Sequence, residues 1–518
     1  MAAGEWAVMV ALGVLAFRDG GAAAVGIVTA ARMIPAALLA PFAATLADAV
    51  RRELVLAWIG LVRAVTLGSA AALIAVGGPT GAVYCLAIVA TIAQTLYRPA
   101  HSALLPALCT SPQQLTSANA VRGMLDSVAA LGGPLVAALL LATTGLGSVF
   151  AVCAAVSLVA GLIIIALPYD PPPRPRQPAQ INSRAVLQGF STIAADRGLL
   201  LITGLGAAQT FTRGCLSVFS VVVSIELLDT GEAGVGVLNA AVGAGAVLGS
   251  ILVFGLIRHG GLATWFGVGI ALWGAPLAVL GAVPHEAVAI ALLAVVGIGN
   301  ALIDVGGFTM LARLADEAVL ARMFAGVEAL FTLALAAGAL VTPLVIELLG
   351  VRVALVAIGL VAPTAAIVCW AALRRLDARM RVRDADIELL HNVPMLRALP
   401  QATIEQLAAA LEHAEIARGD VVFEDGDRGD RFYIVEQGSA EVLRDGKTVD
   451  TLRRGDGFGE IALLRDCART ATVRASADAP LRVSVLPRTR FLTAVTGYPA
   501  SAIAGDSVVT ARLAADRR

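Results

Sequence analysis

Between Trp6 and Leu373, apolar stretches follow one another with only short polar breaks. That succession constrains the fold more than any single motif. A helix needs about 20 apolar residues to cross a bilayer, and most of these stretches reach that length. The expected spans lie near 6–18, 22–46, 54–77, 81–104, 117–142, 146–168, 198–224, 233–257, 263–283, 286–311, 323–349 and 350–373. The first is short: only about 13 residues separate Glu5 from Arg18, which implies a start further upstream or a shortened first helix. Composition agrees, at 58% hydrophobic and 15% charged. A soluble domain is about half apolar and about a quarter charged, so this chain lacks the polar surface to cover itself in water. A lipid bilayer is therefore an expected partner. The net charge of zero offers no footprint for nucleic acid.

Arginine placement sets the expected orientation. Arg51, Arg52, Arg174, Arg176, Arg184, Arg258, Arg313, Arg322, Arg374 and Arg375 fall on one side, against chiefly Arg18 and Arg352 on the other. By the positive-inside rule the first set is cytoplasmic, and so is everything after the last span. Lysine occurs only at Lys447 and alanine is abundant, which fits a GC-rich bacterial genome and hence a multi-pass inner-membrane protein. The six scattered cysteines form no CxxC pair and indicate neither a metal site nor a disulfide framework.

The stretch Tyr169 to Arg184, YDPPPRPRQPAQINSR, is too polar and proline-rich to span. It divides the spans six and six. Val121–Leu131 and Met323–Leu333 open the fifth and eleventh spans with an acid at the same place, Asp126 and Glu328, which supports a duplication. The expected organisation is a six-helix half (1–168), a cytoplasmic linker (169–197), a second six-helix half (198–373), a helical connector (374–395) and a C-terminal domain (396–518).

Charge at membrane depth costs a few kcal/mol, so Arg32, Arg63, Arg98, Asp126, Arg213, Asp304 and Glu328 invite explanation. One reading is a substrate cavity with a proton relay, for which Arg32, Asp126, Arg213, Asp304 and Glu328 are the candidates. The other is structural: Arg122 and Asp126 are spaced to pair along one helix face, and Arg32 and Arg98 to pin helix ends.

After Leu373 polarity rises. Residues 401–416 keep helical apolar spacing, and from Asp420 short alternating runs are broken by Asp-Gly turns. The runs at 469–476 and 481–487 read as a second strand pair. Within this β-rich region lies GDGFGEIALLRDCARTATV, Gly455 to Val473. Gly459 allows close backbone approach, the helix start offers free N–H groups to an anion, and Arg469 supplies a forked donor for phosphate oxygens. Glu460 would repel phosphate, but it suits a ribose hydroxyl as an acceptor. Phosphate plus ribose is a nucleotide. No activated nucleophile or metal-ligand set points to an enzyme, and His391 and His413 read as lone solvated residues of connecting helices.

Two resemblances follow from these residues. The six-plus-six layout and ATLADAVRRELVL, Ala44 to Leu56, resemble the major facilitator superfamily and its G-x-L-A-D-R-x-G-R-R loop. Asp48 and Arg52 match that pattern, whereas Ala44 and Ala49 replace its glycine and first arginine. GGP at Gly132–Pro134 is similar to a motif of the exporting branches. The resemblance implies an all-α polytopic bundle of about 12 helices, with Asp48 and Arg52 as a conformational latch.

The tail resembles the cyclic nucleotide-binding domain family, whose cassette reads F-G-E-[LI]-A-L-x(n)-[PR]-R-x-A-T-V. Phe458, Gly459, Glu460, Ile461, Ala462 and Leu463 fit, then Arg469, Ala471, Thr472 and Val473, with Ala468 departing. The resemblance implies a β-roll or jelly-roll with flanking helices that binds cAMP or cGMP as a regulatory ligand, without a metal. Cassette amides, Gly459 and Ala462 among them, and Arg469 would hold the phosphate, Glu460 the ribose 2′-hydroxyl, and Thr470 would admit a guanine. The expected function is a secondary transporter, an exporter of an unknown small molecule, gated by cyclic nucleotide. The alternative is a non-transporting membrane-anchored receptor. In the transporter reading, nucleotide binding is expected to close the C-terminal helix over the base, with Val508, Val509 and Leu513 as the apolar lid contacts.

Overall fold

The computed structural model describes residues 1–49, 52–97, 100–101, 104, 112–166, 190–257, 261–314 and 317–515. They form two compact units, Met1–Asp377 and Ala378–Arg518.

The described residues of the first unit form helices joined by short turns. Its long helices are α1 (Ala2–Ala49), α2 (Arg52–Ala75), α3 (Thr80–Thr95), α4 (Pro112–Thr143), α5 (Leu146–Ile165), α6 (Arg197–Val222), α7 (Gly231–Ile257), α8 (Leu262–Ala282), α9 (Glu286–Leu314) and α10 (Glu317–Leu349). Two shorter helices, α11 (Val351–Gly359) and α12 (Val361–Val368), complete the last expected span, and a π-turn, Val223–Leu227, extends α6. Helix α3, at 16 residues, is shorter, whereas among the described residues ten helical stretches, α11 with α12 counted as one, are long and apolar enough to cross a membrane. One of them, α1, carries two expected spans, because Gly20 and Gly21 break it. Gly21 has φ +61° and ψ −153°, a conformation essentially confined to glycine, and this turns the chain between the two arms. The first arm starts at Ala2, so Glu5 lies inside the helix rather than ahead of it.

These helices are apolar around most of their circumference, and large side chains such as Ile165, Ile251 and Val368 face outward. That is the pattern of a lipid-facing surface. Inside, small residues bring backbones together. Gly26 on α1 abuts the Ala339 carbonyl and Pro343 of α10, and Gly236 and Gly243 on α7 abut the Pro134 and Ala130 carbonyls of α4. A Cβ at any of them would collide with backbone. The expected linker falls mostly in 167–189, outside the described residues; residues 190–195 are helical.

Helix α13 (Trp370–Asn392) contains the boundary between the units. The second unit continues with α14 (Gln401–Ala409), strands β1 (Glu412–Ile416), β2 (Val421–Phe423), β3 (Arg431–Gln437), β4 (Ala440–Arg444), β5 (Lys447–Leu452) and β6 (Gly457–Phe458), and helix α15 (Glu460–Leu464). Strands β7 (Thr472–Ala475) and β8 (Leu481–Pro487) and helices α16 (Arg488–Thr496) and α17 (Pro499–Ala515) end it. Two antiparallel four-stranded sheets, β1-β8-β3-β6 and β2-β7-β4-β5, enclose Val435, Phe458, Val473 and Val483. Helices α13, α14, α16 and α17 pack on a second cluster around Phe432 and Phe491, whose rings stack at 4.3 Å.

Two expectations fail here. Residues 412–416 are strand β1, not helix: they pair with β8 in register, Glu412 opposite Val485, and the sheet outweighs local helical spacing. Strands β7 and β8 do not pair with each other. They belong to opposite sheets, because a β-roll sends consecutive strands across the barrel.

Candidate functional site

The cassette turns on Gly459, which has φ +87° and caps α15. An ideal Cβ there would lie 2.5 Å from Arg469 Nη1, so both the backbone and the neighbour require glycine. Arg469 is 3% exposed. Its Nη1 donates to the Gly459 carbonyl and its Nη2 to the Arg431 carbonyl, each at 2.8 Å. The guanidinium lies 4.1 Å from the Phe423 ring centroid, a cation–π contact. Burial pulls its pKa below the usual arginine value. The Arg469 amide donates to Asp427 and its carbonyl accepts from Gly426, which ties the cassette to the β2–β3 loop. In that loop a Cβ on Gly429 would meet the Ala462 methyl at 2.6 Å.

Glu460 is fully buried. Its Oε1 accepts from Arg512 Nη1 at 2.7 Å, and Arg512 Nη2 donates to the Gly457 carbonyl at 2.9 Å. Glu460 Oε2 and Arg469 Nε are buried without a hydrogen-bond partner. Buried polar atoms are almost always paired, so two orphans in one cassette mark a place built to receive polar groups.

Of the remaining cassette residues, Ala462 is buried and Ile461 partly buried. Thr470 accepts from Arg444 through its carbonyl at 2.8 Å. The Phe458 ring packs in the barrel core against Tyr433, centroids 5.1 Å apart. Val509 is also core-buried, Val508 packs beside the helical cluster, and the Leu513 side chain lies outside the described residues. From α17, Arg512 reaches Glu460 and Asp506 pairs with Arg465 of the cassette at 2.6 Å, and no spacing in the sequence marks either. Nor is His413 a lone solvated helical residue: on β1, its Nδ1 lies 2.6 Å from Glu436 and its Nε2 3.6 Å from Asp386.

In the membrane unit, Arg32 and Arg63 converge on Glu5. Arg32 Nη2 donates to Glu5 Oε1 at 3.1 Å and Arg63 Nη1 to Oε2 at 2.5 Å, while Arg32 Nε donates to Thr91 at 2.9 Å. Arg213 lies over the adjacent Trp6, 5.8 Å from its ring centroid. Glu5 was not anticipated as a site residue; an acid one turn inside an apolar helix is the signal that could have found it. Asp126 and Asp304 are exposed and Glu328 partly so; Asn300 donates to Asp304 at 2.7 Å, and the Glu328 carbonyl accepts from Thr332 at 2.8 Å. The side chains of Asp48 and Arg52, and residue Arg98, lie outside the described residues. Among the described residues no group of three or more His, Cys, Asp or Glu could hold a metal.

The fold and the cassette define a class: a multi-pass membrane bundle carrying a cyclic nucleotide-binding domain. The sequence model of the Major Facilitator Superfamily matches residues 1–259 and 205–423, and the chain belongs to that superfamily. The model of the cyclic nucleotide-binding domain matches residues 414–498. The tail is similar to the cAMP-dependent protein kinase regulatory subunit of Schizosaccharomyces pombe, 43% identical over 88 residues, and to that of Yarrowia lipolytica, 40% identical over 118. These matches cover 17% and 22% of this chain and only 21% and 31% of those proteins. A solved regulatory domain of Toxoplasma gondii PKA with cAMP is 26% identical at a TM-score of 0.21, covering 22% of this chain and 44% of that one.

Proposed function

We propose that this protein is a secondary transporter, an exporter of a small molecule from a bacterial inner membrane, set by a cyclic nucleotide on its cytoplasmic C-terminal domain. The nucleotide part rests on one observation: Glu460 and Arg469, buried and opposite in charge, flank left-handed Gly459, and each holds a polar atom with no partner. Arg469 and the amides around Gly459 and Ala462 take the phosphate. Glu460 takes the ribose 2′-hydroxyl, and the Thr470 hydroxyl is offered to the phosphate or to a guanine amino group. A ribose hydroxyl at Glu460 competes with Arg512, so occupancy changes the hold on α17. A tenfold preference of the nucleotide for one transporter state supplies about 1.4 kcal/mol, enough to tune transport.

The arginine-rich loops support a cytoplasmic tail. Within the bundle, Asp126, Asp304 and Glu328 are the proposed proton carriers, and Asp48 with Arg52 the latch between states.

The test is titration of the purified full-length protein with cAMP and cGMP, beside its Arg469→Ala variant, followed by flux in proteoliposomes with and without the nucleotide that binds. Saturable binding lost in the variant is expected. Binding indifferent to Arg469 would remove the pocket, and flux indifferent to nucleotide would remove the regulation.

A further inference from the structure

The Glu5 cluster carries more positive charge than it neutralises. Arg63 is 1% exposed and Arg32 4%, yet among the described residues the one carboxylate they pair with is Glu5. Arg63 Nε and Nη2 are buried with no hydrogen-bond partner. A helix pair that needed only a structural clasp would hold one arginine per carboxylate, because the second brings a desolvated charge with nothing to offset it. Glu5 itself is 29% exposed, so the cluster is not sealed. Its neighbour Trp6 lies beneath Arg213, so a third cation, from the helices after residue 189, stands next to the same turn of α1.

We infer that Glu5, Arg32 and Arg63 form a subsite for an oxyanion, a carboxylate or phosphate group of the transported solute. This rests on the transporter reading and names its substrate class. The forked N–H groups of Arg63 meet two oxygens of the anion, and the added negative charge brings the cluster to neutrality. Glu5 holds the two guanidinium groups apart and oriented until the anion arrives. It also keeps the unloaded site from carrying two bare cations. A cationic or neutral solute gains nothing from this arrangement.

The experiment is thermal unfolding of the full chain in detergent with sodium acetate, inorganic phosphate or sodium chloride at matched ionic strength. An Arg469→Ala background keeps the nucleotide pocket from contributing. Acetate or phosphate should raise Tm by about 2–4 °C over chloride, and which of the two acts identifies the group. Arg63→Gln leaves one arginine on one carboxylate. It should abolish that rise without lowering the Tm in chloride. Glu5→Gln leaves two unopposed arginines. It should lower the Tm in chloride and enlarge the response to anion. If Arg63→Gln cannot be purified, the Glu5→Gln response decides alone. No Arg63-dependent rise, or no enlarged response in Glu5→Gln, overturns the proposal and leaves a structural clasp. Flux separates the two readings: an anion response without flux of any solute refutes transport and keeps the subsite. Flux of cationic or neutral solutes without an anion response does the reverse.

Discussion

The membrane unit and the C-terminal unit each set one glutamate beside two arginines, Glu5 partly exposed and Glu460 buried, and they satisfy the charges by different means. Around Glu460, Arg512 pairs with the carboxylate while Arg469 is held by two backbone carbonyls and an aromatic face. Around Glu5 both arginines lean on the same carboxylate, and Arg63 keeps two nitrogens without a partner. In a β-roll, irregular loops can lend carbonyls to a cation. In a helical bundle the backbone is spent on its own helices, so charges there must be met by side chains or by a ligand.

Removing the glutamates should break that comparison most clearly. Glu5→Gln strands two buried cations and should cost about 3–5 kcal/mol in the membrane unit. Glu460→Gln should cost about 1 kcal/mol, because Arg512 is 33% exposed and can turn to water. Unfolding of the two variants in one detergent checks the difference, and equal losses would refute the contrast.

Arg469→Ala comes next. It removes the forked cation and leaves the phosphate facing Glu460, so cyclic nucleotide affinity should fall about a hundredfold or more, read by calorimetry. Gly459→Ala acts on the same arginine indirectly. The new methyl collides with Nη1 and demands a left-handed alanine, at about 1–2 kcal/mol, so affinity should fall roughly tenfold. An unchanged affinity would mean that Arg469 can leave the Gly459 carbonyl without consequence.

Legibility followed the same division. The cassette could be read because one contiguous stretch supplies the glycine, the acid and the arginine, each with a separate chemical reason. Arg512 could not be, since only the docking of α17 brings it to Glu460. The apolar runs announced the membrane helices, and the break at Gly20–Gly21 falls between the first two expected spans. The Glu5 cluster was hidden for two reasons. Hydropathy treated Glu5 as the edge of a span, and its partners lie 27 and 58 residues away on other turns and helices. Strand β1 was missed because its pairing to β8 spans the whole domain, and local spacing carries no trace of it.

The smallest expected effect lies away from both clusters, at His413. The hydrogen bond to Glu436, with the charges of Glu436 and Asp386, raises the imidazole pKa above its ordinary value against the opposing effect of burial. A raised folded-state pKa contributes stability that is fully present below about pH 6.5 and is lost as pH rises through the folded value. Asp386, whose carboxyl burial shifts upward from the carboxylate range, is the partner on α13, so the protonated ring links that helix to β1 and β3. The His413 side chain is 45% exposed, which places the link in the surface range of at most about 1 kcal/mol. His413→Ala should therefore shift the urea midpoint of the C-terminal unit more at about pH 6 than at about pH 9, because the contribution of the protonated ring is lost as pH rises. Pulse proteolysis of the full chain reads that midpoint. An equal loss at both pH values would assign His413 to packing alone.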